Sequence, residues 1–291
     1  MRVLLVKLSS MGDVLHNLPV VSDLARAYPE IEIDWVTEAP YAPLVALHPK
    51  VRRVISSNLR GLKKRWWSPA AWSAFFDVRS QLGRDKYDLI LDTQGLIKSA
   101  LIARWANGPI GGFSRDTARE PLAARAYDRC VAIPQNLHAV VRNRNLAADI
   151  FGYALSGPVD YGLRLPETAV SVSTQHPYVV FLHATSRADK MWPEAHWIAL
   201  GQRVLENGYG IFLPWGNAEE KRISDRLASA IPGAIVPVAM SLMEAATLLA
   251  NARGVIGVDT GLAHLSVALA RPTVGLYLTT SPELTGLYGN N

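Results

Sequence analysis

A single cysteine, Cys130, stands among 291 residues. That scarcity excludes an internal disulfide framework and any cysteine-built metal cage, and it points to a reducing compartment with Cys130 as a small buried hydrophobe. Long apolar runs are missing too. The opening Met1-Arg-Val-Leu-Leu-Val-Lys is too short in its apolar part for a secretion signal, and no stretch approaches the ~18 residues a spanning helix needs, so the expectation is a chain that does not cross a membrane. The dinucleotide pattern G-x-G-x-x-G is absent from the first strand-to-helix loop, which holds one glycine, and this counts against a nicotinamide oxidoreductase. Acidic charge is in deficit on one side only. Residues 1 to 150 hold 21 Lys and Arg against 14 Asp and Glu, whereas the remainder holds 9 against 11. The overall +5 is therefore an N-terminal property and suggests an anionic partner there: nucleic acid, acidic headgroups or an acidic sugar.

What the chain does have is a repeated rhythm. Arg2 to Leu8 reads as a strand, the loop Ser9-Ser10-Met11-Gly12-Asp13 follows, and Val14, Leu15, Leu18, Val21 and Leu24 recur at helical spacing. Ile31 to Val36 and Val51 to Ile55 read as further strands, with a helix over Tyr41 to Leu47 between them. Tyr87 to Ala103 repeats strand, corner and helix, with Asp92, Thr93, Gln94 and Gly95 at the corner. Gly108 to Arg119 reads as a mobile loop, Cys130 to Ile133 as a strand, and His138 opens a helix that places Arg142 on the same face. Pro158 to Pro177 is the expected domain link. Beyond it the rhythm restarts: strand at Tyr178, helix from Glu194 to Glu206, strand at Tyr209, helix from Ala218 to Ile231, strand at Ala234-Ile-Val, helix from Leu242 to Ala250. Alternation of this kind predicts parallel sheets with helices on both faces, and ligands at the carboxyl ends of the strands.

The most informative stretch is Gly254-Val-Ile-Gly-Val-Asp-Thr-Gly-Leu-Ala-His264. It predicts a buried strand turning at Gly261 into a helix whose first amides and dipole face one spot, a natural place for phosphate, with Asp259, Thr260 and His264 around it. Taken alone, the same residues also fit an ordinary helix cap by Asp259 or Thr260 beside a satisfied histidine. The segment Leu59 to Trp72 is basic and aromatic together, with Arg60, Lys63, Lys64 and Arg65 running into Trp66, Trp67 and Trp72. It suits either an acidic lipid surface or a solvated helix edge with inward rings.

Several short patterns then fall into one order: Lys7-Leu-Ser-Ser-Met-Gly-Asp13-Val, Thr185-Ser-Arg-Ala-Asp-Lys190-Met-Trp-Pro193, Pro214-Trp-Gly-Asn-Ala-Glu-Glu220, Met240-Ser-Leu and Asp259-Thr-Gly-Leu-Ala-His264. Together they resemble the ADP-heptose:lipopolysaccharide heptosyltransferase family over nearly the whole chain, and within it the branch that adds the first heptose to Kdo. The resemblance implies a GT-B fold, α/β with two Rossmann-like parallel-sheet domains facing each other across a cleft. Residues 1–165 would bind the acceptor and 166–291 the sugar nucleotide. It implies an inverting transfer of L-glycero-D-manno-heptose from ADP-heptose to Kdo2-lipid A, with no cofactor and no metal. It further implies a cytoplasmic chain, peripheral on the cytoplasmic face of the inner membrane, that binds no nucleic acid. A final helix beyond Tyr288-Gly-Asn-Asn is also a family trait.

Residue by residue, the resemblance makes Asp13 the general base. It assigns Thr185, Ser186, Lys190, Asp259, Thr260, Gly261 and His264 to the diphosphate and heptose. Glu220 would grip the ribose, with Glu219 one register away, and Met240 would lie near adenine. Arg60, Lys64, Arg119, His138 and Arg142 fall where the family meets Kdo carboxylates and lipid A phosphates. Without the resemblance, Asp13 equally fits a cap for the helix beginning at Val14. Three other readings stand beside it: the family branch that acts on a heptose acceptor, a nucleotide-dependent oxidoreductase, and a non-catalytic nucleotide-binding protein.

Overall fold

The apolar run that opens the chain becomes β1 (Arg2–Val6), buried at every position after the first. The computed structural model describes residues 1–58, 69–166, 176–185 and 187–289, without the side chains of 69–72, 74 and 75. Two compact units, Met1–Leu163 and Arg164–Asn291, make up the chain.

In the first unit β1 lies between β2 (Glu32–Glu38) and β4 (Leu89–Asp92), and β3 (Val51–Ser57), β5 (Ile110–Phe113) and β6 (Arg129–Val131) complete a parallel sheet of order β3-β2-β1-β4-β5-β6. Strands covered on both faces need apolar side chains on both, which is why β1 and β4 read as unbroken apolar runs rather than alternating ones. Val3, Leu4, Leu5 and Val6 are all fully buried, and the core on one face of the sheet gathers Leu4, Val6, Ile90, Ile102, Tyr87 and Tyr127. The chain leaves β1 toward β2 on one side and returns to β4 on the other, so the order reverses between the ends of β1 and β4. Such a reversal opens a crevice between loops that depart to opposite faces.

The second unit repeats this on a smaller scale. β7 (Tyr178–Leu182), β8 (Gly210–Phe212), β9 (Gly254–Val258) and β10 (Thr273–Leu276) form a parallel sheet of order β10-β9-β7-β8, reversing between β7 and β9. Its core is built around Phe181, Trp197, Ile211, Leu213, Leu227, Ile231 and Val258.

Four expectations need correction. Gly108 to Arg119 is no open loop: it contains β5, whose glycines serve close packing. A Cβ on Gly112 would lie 2.4 Å from Tyr127 Cε2, so that position must be glycine for the ring to reach across the strand. The predicted strand at Ala234 reduces to one bridge, Phe212 to Ile235. The first helix is two, Met11–Leu15 and Leu18–Ala27, with Pro19 restarting the second at its first turn. Cys130 is exposed, not buried, because β6 is the edge strand of its sheet.

Candidate active site

In the first unit, polar groups gather at the β1/β4 reversal. Lys7 directly follows β1 yet is only 5% exposed, and its ammonium donates to the Thr93 carbonyl at 2.7 Å. Burial pushes it from 10.5 down to about 8, against the pull of Asp13 and with a further push from Arg119. The loop after Lys7 is tied to the β4 corner by Gln94, whose Oε1 accepts from the Leu8 amide at 3.0 Å and the Ser9 amide at 3.3 Å. That corner is itself rigid. Buried Asp92 accepts from the Gln94 and Gly95 amides through one oxygen and from Ser99 Oγ and Tyr127 OH through the other. Gly95 turns there at φ +67°, where a side chain would be strained.

Asp13 is not the cap of its helix but its third residue. Ser10 occupies the cap position, and Asp13 Oδ2 accepts from the Ser10 amide at 2.9 Å and from Ser10 Oγ at 3.1 Å. Arg119 Nη1 stands 3.5 Å from the same oxygen. Among the described residues Oδ1 accepts no hydrogen bond. Burial opposes ionisation of Asp13, but Lys7, Arg119, the Ser10 amide and His16 outweigh it and hold the carboxyl below its ordinary value. His138 caps the helix Ala139–Phe151 by accepting from the Val140 amide at 3.1 Å, and its ring meets that of His16 edge-on at 5.3 Å. Arg142 donates to the Thr117 carbonyl at 2.8 Å and lies over the Phe113 ring at 4.8 Å. Burial, and then Arg119, lower its guanidinium from the ordinary value. The fold thus brings Asp13, Arg119, His138 and Arg142 into one neighbourhood. Arg60 and Lys64 lie outside the described residues.

In the second unit the corresponding reversal, at the ends of β7 and β9, holds Thr185, Lys190, Asp259 and His264. Asp259 Oδ2 accepts from Lys190 Nζ at 2.7 Å and from Thr280 Oγ1 at 2.8 Å, and Thr185 Oγ1 donates to the Asp259 carbonyl at 3.1 Å. His264 Nε2 is 3.6 Å from Asp259 Oδ1, within ion-pair range but longer than a hydrogen bond. His264 first, then Lys190 and Thr280, hold the Asp259 carboxyl far below the usual carboxylate range against the penalty of its burial. Thr260 takes the cap position of the helix Gly261–Ala268 with extended backbone, but its side chain makes no cap bond. The Ala263 amide donates to the Thr260 carbonyl at 3.1 Å, and among the described residues the Gly261 and Leu262 amides of the first turn have no acceptor.

Glu220 lies in the first turn of the helix Ala218–Ala230, and Met240 lies in a loop. Glu220 folds onto the start of its own helix, accepting from the Gly216 amide and from Asn217 Nδ2, each at 2.7 Å, while Glu219 is exposed. Met240 is half-buried just ahead of the helix Leu242–Asn251, and Trp215 Nε1 ties its segment to the β8 loop through the Pro237 carbonyl at 2.8 Å. Ser186 lies outside the described residues. Two groups had no assigned role in the sequence reading: Lys7, which opens the Lys7 to Val14 pattern without a task of its own, and Thr280, which carries no local signal.

Two Rossmann-like parallel sheets in one chain, each with its polar cluster at the strand-order reversal, define the GT-B class of glycosyltransferase fold. The chain belongs to glycosyltransferase family 9 (heptosyltransferase), whose pattern matches residues 75–291. It is 44% identical to lipopolysaccharide heptosyltransferase 1 of Pseudomonas aeruginosa, an alignment covering 100% of this chain and 82% of the relative. Two solved structures of the E. coli heptosyltransferase WaaC align at 42% identity. The one with ADP has a TM-score of 0.92 over 99% of this chain and 91% of the other. The one with ADP-2-deoxy-2-fluoro heptose has a TM-score of 0.89 over 100% and 91%. The protein is accordingly a glycosyltransferase.

Proposed function

We propose that this chain transfers L-glycero-D-manno-heptose from ADP-heptose to the Kdo of Kdo2-lipid A, with inversion at the anomeric carbon and Asp13 as general base. The observation that carries the reading is the state of Asp13. One oxygen is fixed by Ser10 and Arg119, the other accepts no hydrogen bond among the described residues, and the cations Lys7 and Arg119 favour the ionised form. An acceptor hydroxyl attacks the anomeric carbon as Asp13 Oδ1 takes its proton, the carbon–oxygen bond to the diphosphate breaks, and ADP leaves from the opposite face. General-base help of this kind is worth about 10²- to 10⁴-fold.

The leaving diphosphate falls to Lys190, Thr185, Ser186 and the amides at Thr260 and Gly261, since a cation and a helix start both stabilise developing negative charge. Asp259 and His264 orient the sugar or its phosphate, Glu220 holds the ribose, and Met240 packs on the base. Residues 1–165 bind the acceptor, and Arg60, Lys64, Arg119, His138 and Arg142 receive its carboxylates and phosphates. Support for this acceptor comes from the N-terminal excess of cations and from relatives named for heptose transfer to lipopolysaccharide. The same charge fits a location on the cytoplasmic face of the inner membrane, and no helix among the described residues is long and apolar enough to cross one.

Incubating the protein with ADP-heptose and either Kdo2-lipid A or its monoheptosylated form, then analysing products by mass, decides the reading. Heptose on the first acceptor alone is expected. Heptose on the second alone makes this the branch that extends an existing heptose. No transfer to either removes the proposal. Turnover is expected to persist in excess EDTA, and loss that returns on adding a divalent ion would overturn the metal-free step.

A further inference from the structure

A surface patch beside Asp13 has apolar and cationic groups in a combination that a water-facing surface does not require. The helix Ile97–Ala103 packs on the short helical turn Pro121–Ala126. Ala100, Ile102, Ala103 and Ala123 face the core. The other side leaves Ile97 41%, Leu101 58% and Leu122 52% exposed. Ile97 and Leu101 are four apart and share a helix face. Lys98 and Arg125 are exposed within the same two elements, and Arg119 and Arg129 are exposed just beyond them. The acids nearby are engaged: Glu120 accepts from the Ile97 amide at 2.6 Å, and Asp128 accepts from the Ile110 amide at 2.8 Å. Scattered exposed leucines are ordinary, but several on two packed elements where cations outnumber carboxylates mark an interaction surface.

We infer that this patch docks the protein on an anionic lipid bilayer, with Leu101, Leu122 and Ile97 entering the headgroup boundary and Lys98, Arg125 and Arg129 meeting acidic headgroups. Charge complementarity selects the partner, because apolar groups beside a surplus of cations match an interface whose interior is hydrocarbon and whose surface is negative. Position gives it a purpose. Glu120 donates its amide to the Gly95 carbonyl, and Arg119, one residue ahead, reaches Asp13, so the patch borders the carboxylate directly. A bilayer held there would present a lipid-anchored acceptor without extracting its acyl chains. That last step rests on the function proposed above, whereas the docking surface does not.

The test pairs two assays on the full chain. Flotation with phosphatidylglycerol/phosphatidylethanolamine vesicles should capture the wild type, and phosphatidylcholine vesicles should not. Leu101→Asp/Leu122→Asp, shown folded by circular dichroism, should bind the acidic vesicles at least tenfold more weakly. Lys98→Gln and Arg125→Gln should each cost about fivefold. With an acyl-free Kdo acceptor the leucine variant should turn over like the wild type, while its turnover on bilayer-embedded acceptor falls in step with binding. Undiminished vesicle binding by the folded leucine variant overturns the inference. So does a wild-type dimer that the variant loses while still binding vesicles. Should no variant, nor the wild type, transfer sugar to the soluble acceptor, the proposed function fails while the flotation comparison still decides the patch.

Discussion

Replacing Lys7 by methionine separates what the fold needs from what the site needs. The lysine follows a strand buried at all but its first residue, and burial lowers its ammonium from 10.5 to about 8. At neutral pH the folded protein therefore holds a cation that is more comfortable in the unfolded chain. At 1.36 kcal/mol per unit the difference is roughly 3 kcal/mol. Because the folded value is the depressed one, the unfolded state binds more protons between pH 8 and 10.5, and stability must rise with pH across that window. Methionine fills similar space without the charge, but it gives up the bond to the Thr93 carbonyl and leaves that oxygen short of a partner, a loss of about 1–3 kcal/mol. The expectation is a variant as stable as the wild type or slightly more so at pH 7. Thermal unfolding of both proteins from pH 7 to 9.5, taken as a difference, isolates this one group, since every other titration cancels. The wild type should gain on the variant steadily above pH 8, by several degrees in Tm for a unit of this size. Activity should move the other way. Without Lys7 the Asp13 carboxyl loses the largest influence that lowers it, so the acid limb of the rate profile should shift upward and turnover fall. A flat stability difference from pH 7 to 9.5, or an unmoved acid limb, refutes the reasoning.

Asp13→Asn keeps an oxygen for the Ser10 amide but cannot accept a proton, so turnover should fall about 10²- to 10⁴-fold while calorimetry shows ADP binding intact; a loss under tenfold removes Asp13 as base. Asp259→Asn should destabilise the second unit at neutral pH, because the depressed carboxyl contributes stability above its unfolded value and loses it as pH falls. The gap to wild type should close in acid unfolding, and a gap constant from pH 7 to 3 contradicts the assignment. Arg144→Met strips the buried Asp23 carboxylate of partners at 2.6 and 3.0 Å that join the helix Leu18–Ala27 to the helix Ala139–Phe151. Denaturant unfolding should register about 3–5 kcal/mol, and less than 1 kcal/mol would mean that Arg26 or water suffices.

How far the sequence could be read depended on whether the relevant contacts were local. β1, β4, β7 and β9 are apolar runs punctuated by glycine or small polar residues, and both sides of that signal lie within a dozen residues. The alternation also implied parallel pairing, and parallel pairing locates loops at strand ends, so the loops that hold Asp13 and Asp259 were already candidates, and the family resemblance singled out Asp13 within its loop. Failures came where a partner is remote. Nothing near Thr280 says that its hydroxyl meets Asp259, 21 residues away, and nothing near Gly112 says that Tyr127 needs its missing side chain. Cys130 was misjudged because burial was inferred from residue type, and an edge strand does not grant it. Ala234 to Val236 has strand composition but pairs at one point only, since composition cannot supply a neighbour.

The two polar clusters solve opposite electrostatic problems with the same topology. Around Asp13 one carboxylate faces Lys7 and Arg119, with Arg142 close behind, so positive charge is left over after the acid is satisfied. The anionic acceptor proposed above would meet that excess directly, and binding it should ease the repulsion that Lys7, Arg119 and Arg142 exert on one another. Around Asp259 the balance is closed: Lys190 is already paired, and Thr280 occupies the same oxygen. A diphosphate bound there, as proposed above, would have to share Lys190 with Asp259 or rely on the amides of Gly261 and Leu262, which carry no counter-charge of their own. Binding on this side therefore depends on geometry more than on net charge. That division matches the composition, in which the surplus of cations belongs to the N-terminal half and the C-terminal half is slightly acidic.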